Sequence, residues 1–134
     1  MTRTVSRIAL ALVALPALVC ADTGSAFVIS VQNAATKVGV KAVIVATISM
    51  RTGFAITDSY RHRITNLSAP EDVALEQPVV PGSIRDDSIV FAVKVTPKNA
   101  GTRLVHGVFR FSYYAGGELA IRAAPFEGTV TATE

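Results

Sequence analysis

Arg103-Leu104-Val105-His106-Gly107-Val108-Phe109-Arg110-Phe111-Ser112-Tyr113-Tyr114 alternates between two chemistries along its whole length. Val105, Gly107, Phe109, Phe111 and Tyr113 share one parity; His106, Arg110 and Ser112 take the other. A period of two belongs to an extended strand with one face in a core. A helix would scatter the same aromatics around its circumference. Ala115-Gly116-Gly117-Glu118 follows directly and reads as a hairpin turn, because glycine supplies the positive φ that tight turns need. The return strand repeats the alternation: Phe126, Gly128, Val130 and Ala132 against Glu127, Thr129, Thr131 and Thr133.

The pattern extends toward the N-terminus. Lys41 to Met50 sets Ala42, Ile44, Ala46, Ile48 and Met50 on one face, and Ser88 to Val95 does the same with Ile89, Phe91, Val93 and Val95. Phe27 to Val31, a segment around Tyr60 to Leu67, and a weaker one around Val73 to Gln77 bring the count to about seven strands. Gly39, Gly53, Pro70, Pro78, Pro81-Gly82, Pro97, Gly101 and Pro125 punctuate them. Gln77 to Asp87 holds two prolines and a glycine and reads as a loop crossing between sheets. No stretch after residue 26 keeps a helical period. The expected fold is an all-β, immunoglobulin-like antiparallel β-sandwich of about seven strands.

The first 26 residues read differently. Arg3 and Arg7 precede a short apolar run, Ile8 to Val19, and small residues follow. This is the three-part form of a cleaved secretory signal, with a cut expected after Ala21 or Ala26 and one domain over 27–134. The run is shorter than the roughly 20 apolar residues of a spanning helix. A lipid-anchored form through Cys20 is disfavoured by Val19, since a small residue normally precedes a lipidated cysteine. The expected location is periplasmic or secreted, with no membrane span in the mature form.

Export changes the chemistry available. The whole chain carries 13 basic and 10 acidic residues, for a net charge of +3. Arg3 and Arg7 leave with the signal, so after a cut at Ala21 only 11 basic residues face those 10 acidic ones. No basic face remains that could neutralise a run of phosphates, so nucleic acid is not an expected partner. Cys20, the single cysteine, also departs or sits at the very start. Thiol catalysis, disulfides and cysteine-based metal sites go with it.

Few residues offer other chemistry. His62 and His106 are the only histidines, and each reads as a solvated side chain. As metal ligands they are weak candidates, because a site needs three or four converging donors. Glu71-Asp72 and Asp86-Asp87 are neighbouring loop acids, whereas acid–base catalysis needs carboxyls facing one substrate. Asn66-Leu67-Ser68 fits a glycosylation sequon. No nucleophile elbow, phosphate loop or calcium loop is present. The composition points away from an enzyme, and no cofactor is expected.

The C-terminal half resembles a known family. Leu67-Ser68-Ala69-Pro70-Glu71-Asp72-Val73, then Pro78 to Gly82, then Gly101 to Ala132 are similar to the periplasmic N-terminal domain of the thiol:disulfide interchange protein DsbD. The resemblance implies an immunoglobulin-like sandwich that docks thioredoxin-fold partners. It also implies two redox cysteines in the last hairpin, but Tyr114 and Leu119 stand at those positions. A redox-silent relative keeping only scaffold and docking surface is the reading that follows.

The first expectation is therefore a non-catalytic module that binds another periplasmic protein, one of thioredoxin fold if the resemblance extends to the partner. Tyr114, Arg110 and Arg122 on the last hairpin are its candidate contacts, since Tyr and Arg most often anchor interfaces. Tyr60, Arg61 and Arg63 form a second basic and aromatic group. The alternative is a small periplasmic copper-binding domain using His62 or His106.

Overall fold

A computed structural model describes residues 18–22 and 26–134. Most of the expected signal segment lies outside these residues. In chain order the strands are β1 (Leu18–Asp22), β2 (Phe27–Gln32), β3 (Ala34–Lys37), β4 (Ala42–Met50), β5 (Phe54–Ile56) and β6 (Arg63–Ser68). They continue as β7 (Val73–Leu75), β8 (Val80–Arg85), β9 (Ser88–Pro97), β10 (Gly101–Ala115) and β11 (Glu118–Thr133).

The strands make an immunoglobulin-like β-sandwich. One sheet runs β1–β2–β4–β9, with β7 and β8 both pairing β9. The other runs β6–β10–β11–β3, with β5 added to β10. Every pair is antiparallel except β3 with β11, which is parallel. The first strand of the sandwich is split between sheets. β2 pairs β4, the chain crosses at Asn33, and β3 then joins β11. At the crossing the Thr129 N–H donates to Asn33 Oδ1 at 2.9 Å, which holds the switch in place. Processing within residues 1–26 bears on one edge: β1 covers the outer side of β2, so a cut at either expected site, after Ala21 or after Ala26, would uncover it.

The core is the sum of the apolar parities. Ile44, Ile48, Ile89, Phe91, Val93, Phe109, Phe111 and Phe126 are all buried between the sheets. Phe109 touches Phe91 at 5.2 Å and Phe126 edge-on at 5.5 Å between ring centroids. Phe27, Phe111 and Tyr113 make a second aromatic group nearer the hairpin. Each such side chain contributes about 1.5–3 kcal/mol when fully buried. Together they supply the core of a small domain whose single cysteine can form no internal disulfide.

Two sequence expectations are corrected. Gln77 to Asp87 is not simply a loop, for Val80–Arg85 forms β8 and belongs to both sheets. Gly82 to Arg85 pair β9, while Val80 and Pro81 pair β6. Pro81 and Gly82 suit that corner rather than break it. A Cβ on Gly82 would lie 2.7 Å from the Phe91 ring, so only glycine lets the strand close over that side chain. The segment from Tyr60 becomes a strand only at Arg63. The residues before it form a bend that folds over β10.

β6 and β10 also carry an irregularity. Ser68 faces His106 and Thr65 faces Val108, so β6 holds one extra residue there. Asn66 takes a φ of 55° within this bulge, a left-handed conformation that asparagine tolerates. Gly107 lies opposite, where a Cβ would meet the Thr65 carbonyl at 2.9 Å.

Candidate functional site

The outward face of the β6–β10–β11 sheet gathers most of the candidate residues. Arg63 and Arg110 face each other directly across β6 and β10. Both point away from the core, since Ile64, Phe109 and Phe111 on the opposite parity are buried. Like charges in opposed positions destabilise a sheet pair. Here each guanidinium is held apart by a separate partner. Arg63 Nη1 donates to the Arg61 carbonyl at 2.7 Å and stands 6.0 Å from the Tyr60 ring centre. Arg110 Nε donates to Thr65 Oγ1 at 3.2 Å. Ion pairs form elsewhere, for instance at Lys41–Glu76, Lys94–Glu76 and Arg103–Asp72. Arg63 and Arg110 therefore present two adjacent positive charges, and among the described residues no acid forms an ion pair with either.

Four residues further along β10, at about 3.3 Å per residue, stands Tyr114. It is 41 % exposed and faces Leu119 directly across the hairpin. Leu119 and Ile121 are 54 % and 56 % exposed and share its face. The hairpin turn is built by Gly116 and Gly117 with φ of 60° and 86°, the paired positive values of a type I′ turn. The result is an aromatic and aliphatic tip next to a basic step.

Arg122 does not belong to this face. It pairs with Phe111 in register, on the core-side parity, and its guanidinium lies 5.8 Å from the Tyr113 ring centre. Tyr114 and Arg122 therefore point to opposite sides of the hairpin. Arg61 is exposed and Tyr60 half-buried beside Arg63. The two groups of candidates that are distant in sequence, Tyr60-Arg61-Arg63 and Arg110-Tyr114, thus meet on one surface.

His62 corrects the expectation of a solvated side chain. It is 3 % exposed and sits between the basic step and the apolar tip. Its Nε2–H donates to the Thr57 carbonyl at 2.6 Å, and its Nδ1 accepts the Ser112 N–H at 3.3 Å. This fixes the neutral tautomer protonated on Nε2. Thr57 and Ser112 hydroxyls bond each other at 3.0 Å beneath it, also buried. The His62 carbonyl accepts the Gly82 N–H at 2.9 Å, which ties in β8. Burial pushes the His62 imidazole below its ordinary pKa, and the bond to the Thr57 carbonyl offsets this only in part. With both ring nitrogens engaged by backbone, His62 has no lone pair to offer a metal.

His106 is exposed and faces Ser68 and Glu127, six residues along β10 from Ser112. At about 3.3 Å per residue that is roughly 20 Å from the His62 ring. The fold does not bring the two histidines together. Among the described residues no three His, Cys, Asp or Glu side chains cluster as metal ligands would. The loop acids also separate. Asp72 is held by Arg103 at 2.8 Å, whose hydrogen bond keeps its carboxyl below the usual range, while Asp86 stands in the β8–β9 turn.

Sequence parity alone missed Ser112, Thr57 and Ile121. Ser112 has the outward parity yet is fully buried, because the bend at 57–62 covers it. Thr57 lies in a short connection with no periodicity to read. Ile121 stands out only once its neighbours are known to leave it uncovered.

No family model and no curated protein matches this chain. Solved structures with a similar chain path include the GAE domain of GGA2p from Saccharomyces cerevisiae. It is 16 % identical, with 83 % of this chain and 96 % of that chain covered and a TM-score of 0.47. AggA, the major subunit of aggregative adherence fimbriae type I from Escherichia coli, is 12 % identical. It covers 80 % of this chain and 94 % of its own, with a TM-score of 0.38. At this level of similarity neither neighbour assigns a function to the chain.

Proposed function

We propose that this chain is an exported, non-catalytic interaction module that docks another protein on the outward face of β6, β10 and β11. The observation that carries the reading is the Arg63–Arg110 pair beside the exposed Tyr114–Leu119–Ile121 tip. Two opposed arginines without an acid are unfavourable in isolation and favourable once a carboxylate bridges them. Tyrosine and arginine bury large area with a polar end, and the apolar tip supplies the dry centre that an interface needs. The partner that fits is a protein segment with an acidic group next to an apolar one.

The resemblance to the DsbD N-terminal domain supports the same surface. Tyr114 and Leu119, which stand at the cysteine positions, are directly opposed across the final hairpin. A partner that approached the cysteines of a relative would approach this tip. With a tyrosine and a leucine there, contact occurs without thiol exchange, so the module is redox-silent.

The test is substitution followed by partner capture after export, with folding checked by circular dichroism. Tyr114→Ala and Arg110→Glu should each weaken retention of a co-purifying partner by tenfold or more, consistent with the loss of about 2 kcal/mol at an interface anchor. Arg122→Ala, on the other side of the hairpin, should change retention little. Equal retention by all three variants would remove this face as the docking surface. Intact-mass measurement of the same preparation reads the export step: a mature chain begins at Asp22 or Phe27, and an intact Met1 in the soluble fraction contradicts it.

The copper-binding alternative is not favoured by any observation of the site, since His62 is committed to the backbone and His106 is remote.

A further inference from the structure

Among the described residues β11 has one partly open edge. β10 covers one side along the full strand, from Gly101↔Ala132 to Ala115↔Glu118. On the other side β3 reaches only Val130 to Thr133. Among the described residues no strand pairs Glu118–Gly128 on that side. Such an edge usually carries charge, proline or a covering loop to prevent pairing with another chain. Pro125 supplies one such block, but Glu118 to Ala124 contains no proline, and Leu119 and Ile121 within it are more than half exposed.

The alternation of the ladder identifies which backbone groups point away from β10. Ala115 and Glu118 close the two-residue turn, so Glu118, Ala120 and Arg122 direct their N–H and C=O toward β10. Leu119, Ile121 and Ala123 direct theirs outward; in the single chain the Ile121 carbonyl accepts from Arg122 Nη1 at 3.1 Å, a bond that pairing would exchange for a ladder bond and an ion pair. The same parity is seen further along, where the Thr129 N–H donates to Asn33 and the Thr133 carbonyl accepts from Val38.

We propose that this edge pairs with the same edge of a second copy, antiparallel and centred on Ala120. The sequence Glu118-Leu119-Ala120-Ile121-Arg122 is self-complementary in that register. A two-fold axis at Ala120 sets Glu118 against Arg122 of the second copy, twice, and Leu119 against Ile121, twice. Leu119 and Ile121 are the residues whose backbone groups face outward, so each of these pairs closes two ladder hydrogen bonds. Glu118 and Arg122 fall in the widely spaced pairs, where side chains approach most closely. They lie on the core-side parity and so do not compete with the apolar face. The alternative centre on Ile121 would oppose Ala120 to Arg122 and lose both ion pairs. The two-fold sheet also places two Tyr114–Leu119–Ile121 tips side by side on one surface. The pairing rests on the edge and its charges, not on the docking reading above.

Sedimentation of the purified protein over a concentration series tests it. The wild type should show a reversible monomer–dimer equilibrium. Glu118→Arg alone and Arg122→Glu alone should each raise the dissociation constant at least tenfold, because like charges then meet twice. The double variant Glu118→Arg with Arg122→Glu should restore dimerisation. Ile121→Pro removes an outward N–H without touching the β10 ladder and should abolish the dimer while the monomer stays folded. Ala120→Cys in a Cys20→Ala background should oxidise to a covalent dimer, since its Cα lies about 4.5 Å from its own copy across the axis. Ala123→Cys should not. Tyr114→Ala should leave the dimer intact, which separates this result from any loss of partner docking. A protein that remains monomeric at every concentration, single charge reversals without effect, or a double variant that stays monomeric would each overturn the proposal.

Discussion

Phe109→Ala is expected to remove about 3–5 kcal/mol of folding stability. Phe109 is fully buried at the centre of β10, between Phe91 of one sheet and Phe126 of its own. It also faces Ile64 across β6 and Ala124 across β11, so its ring links three strands of one sheet to the opposite sheet. Truncation would strip both aromatic contacts and leave a void that the paired backbones on either side are poorly placed to fill. Small domains are stable by only about 5–15 kcal/mol in total, so the loss is a large share. Urea unfolding of wild type and variant measures it. An unchanged midpoint would mean that β10 presents its other face to the core.

His62 gives the second large effect, and it depends on pH. Replacement by alanine would leave the Ser112 N–H and the Thr57 carbonyl buried without partners, at about 1–3 kcal/mol each. In the wild type the folded state holds His62 neutral with a lowered pKa, whereas the unfolded chain takes up its proton near pH 6.5. The unfolded state therefore binds more protons between these two values, and stability rises with pH across that window. The contribution of His62 is complete above about pH 6.5 and is lost as pH falls through the lowered folded value. Asp72 behaves similarly in a lower range, since its depressed pKa places its loss below the ordinary carboxylate value of 3.8. Unfolding midpoints measured at pH 7.5, 6.5 and 5.5 separate the two. His62→Ala should flatten the dependence above pH 5.5, and a slope equal to that of the wild type would remove His62 as its source.

The sandwich was legible because its long strands are half-buried. Ala42 to Met50, Ser88 to Pro97 and Gly101 to Ala115 each bury one parity, and a two-residue period is visible without any partner strand. β8 was not legible, because its strand character comes from joining two sheets. Its proline and glycine meet the close approach of Phe91, and locally they resemble a turn. β3 and β5 are too short to show any period. For the site, the parity of β10 continues undisturbed to the turn, which puts Tyr114 on the outward face with Arg110. Arg122 shares the hairpin with Tyr114, but the antiparallel register sets it against Phe111 and so on the other side. His62 was misjudged because burial there comes from the bend over β10, a tertiary contact spanning fifty residues. The meeting of Arg63 with Arg110 has the same origin: it is a property of strand order.

Site-specific photo-crosslinking in the producing cell tests the central claim most directly. A photoreactive residue is placed at Tyr114 on the proposed docking face, and separately at Val43, which is 40 % exposed on the other sheet. The expected result is a discrete adduct from position 114, heavier than the protein by the mass of a different chain, and none from position 43. Loss of that adduct on adding Arg110→Glu would tie it to the basic step. No adduct at 114, or the same adduct at both positions, would contradict the assignment of the β6–β10–β11 face as the working surface.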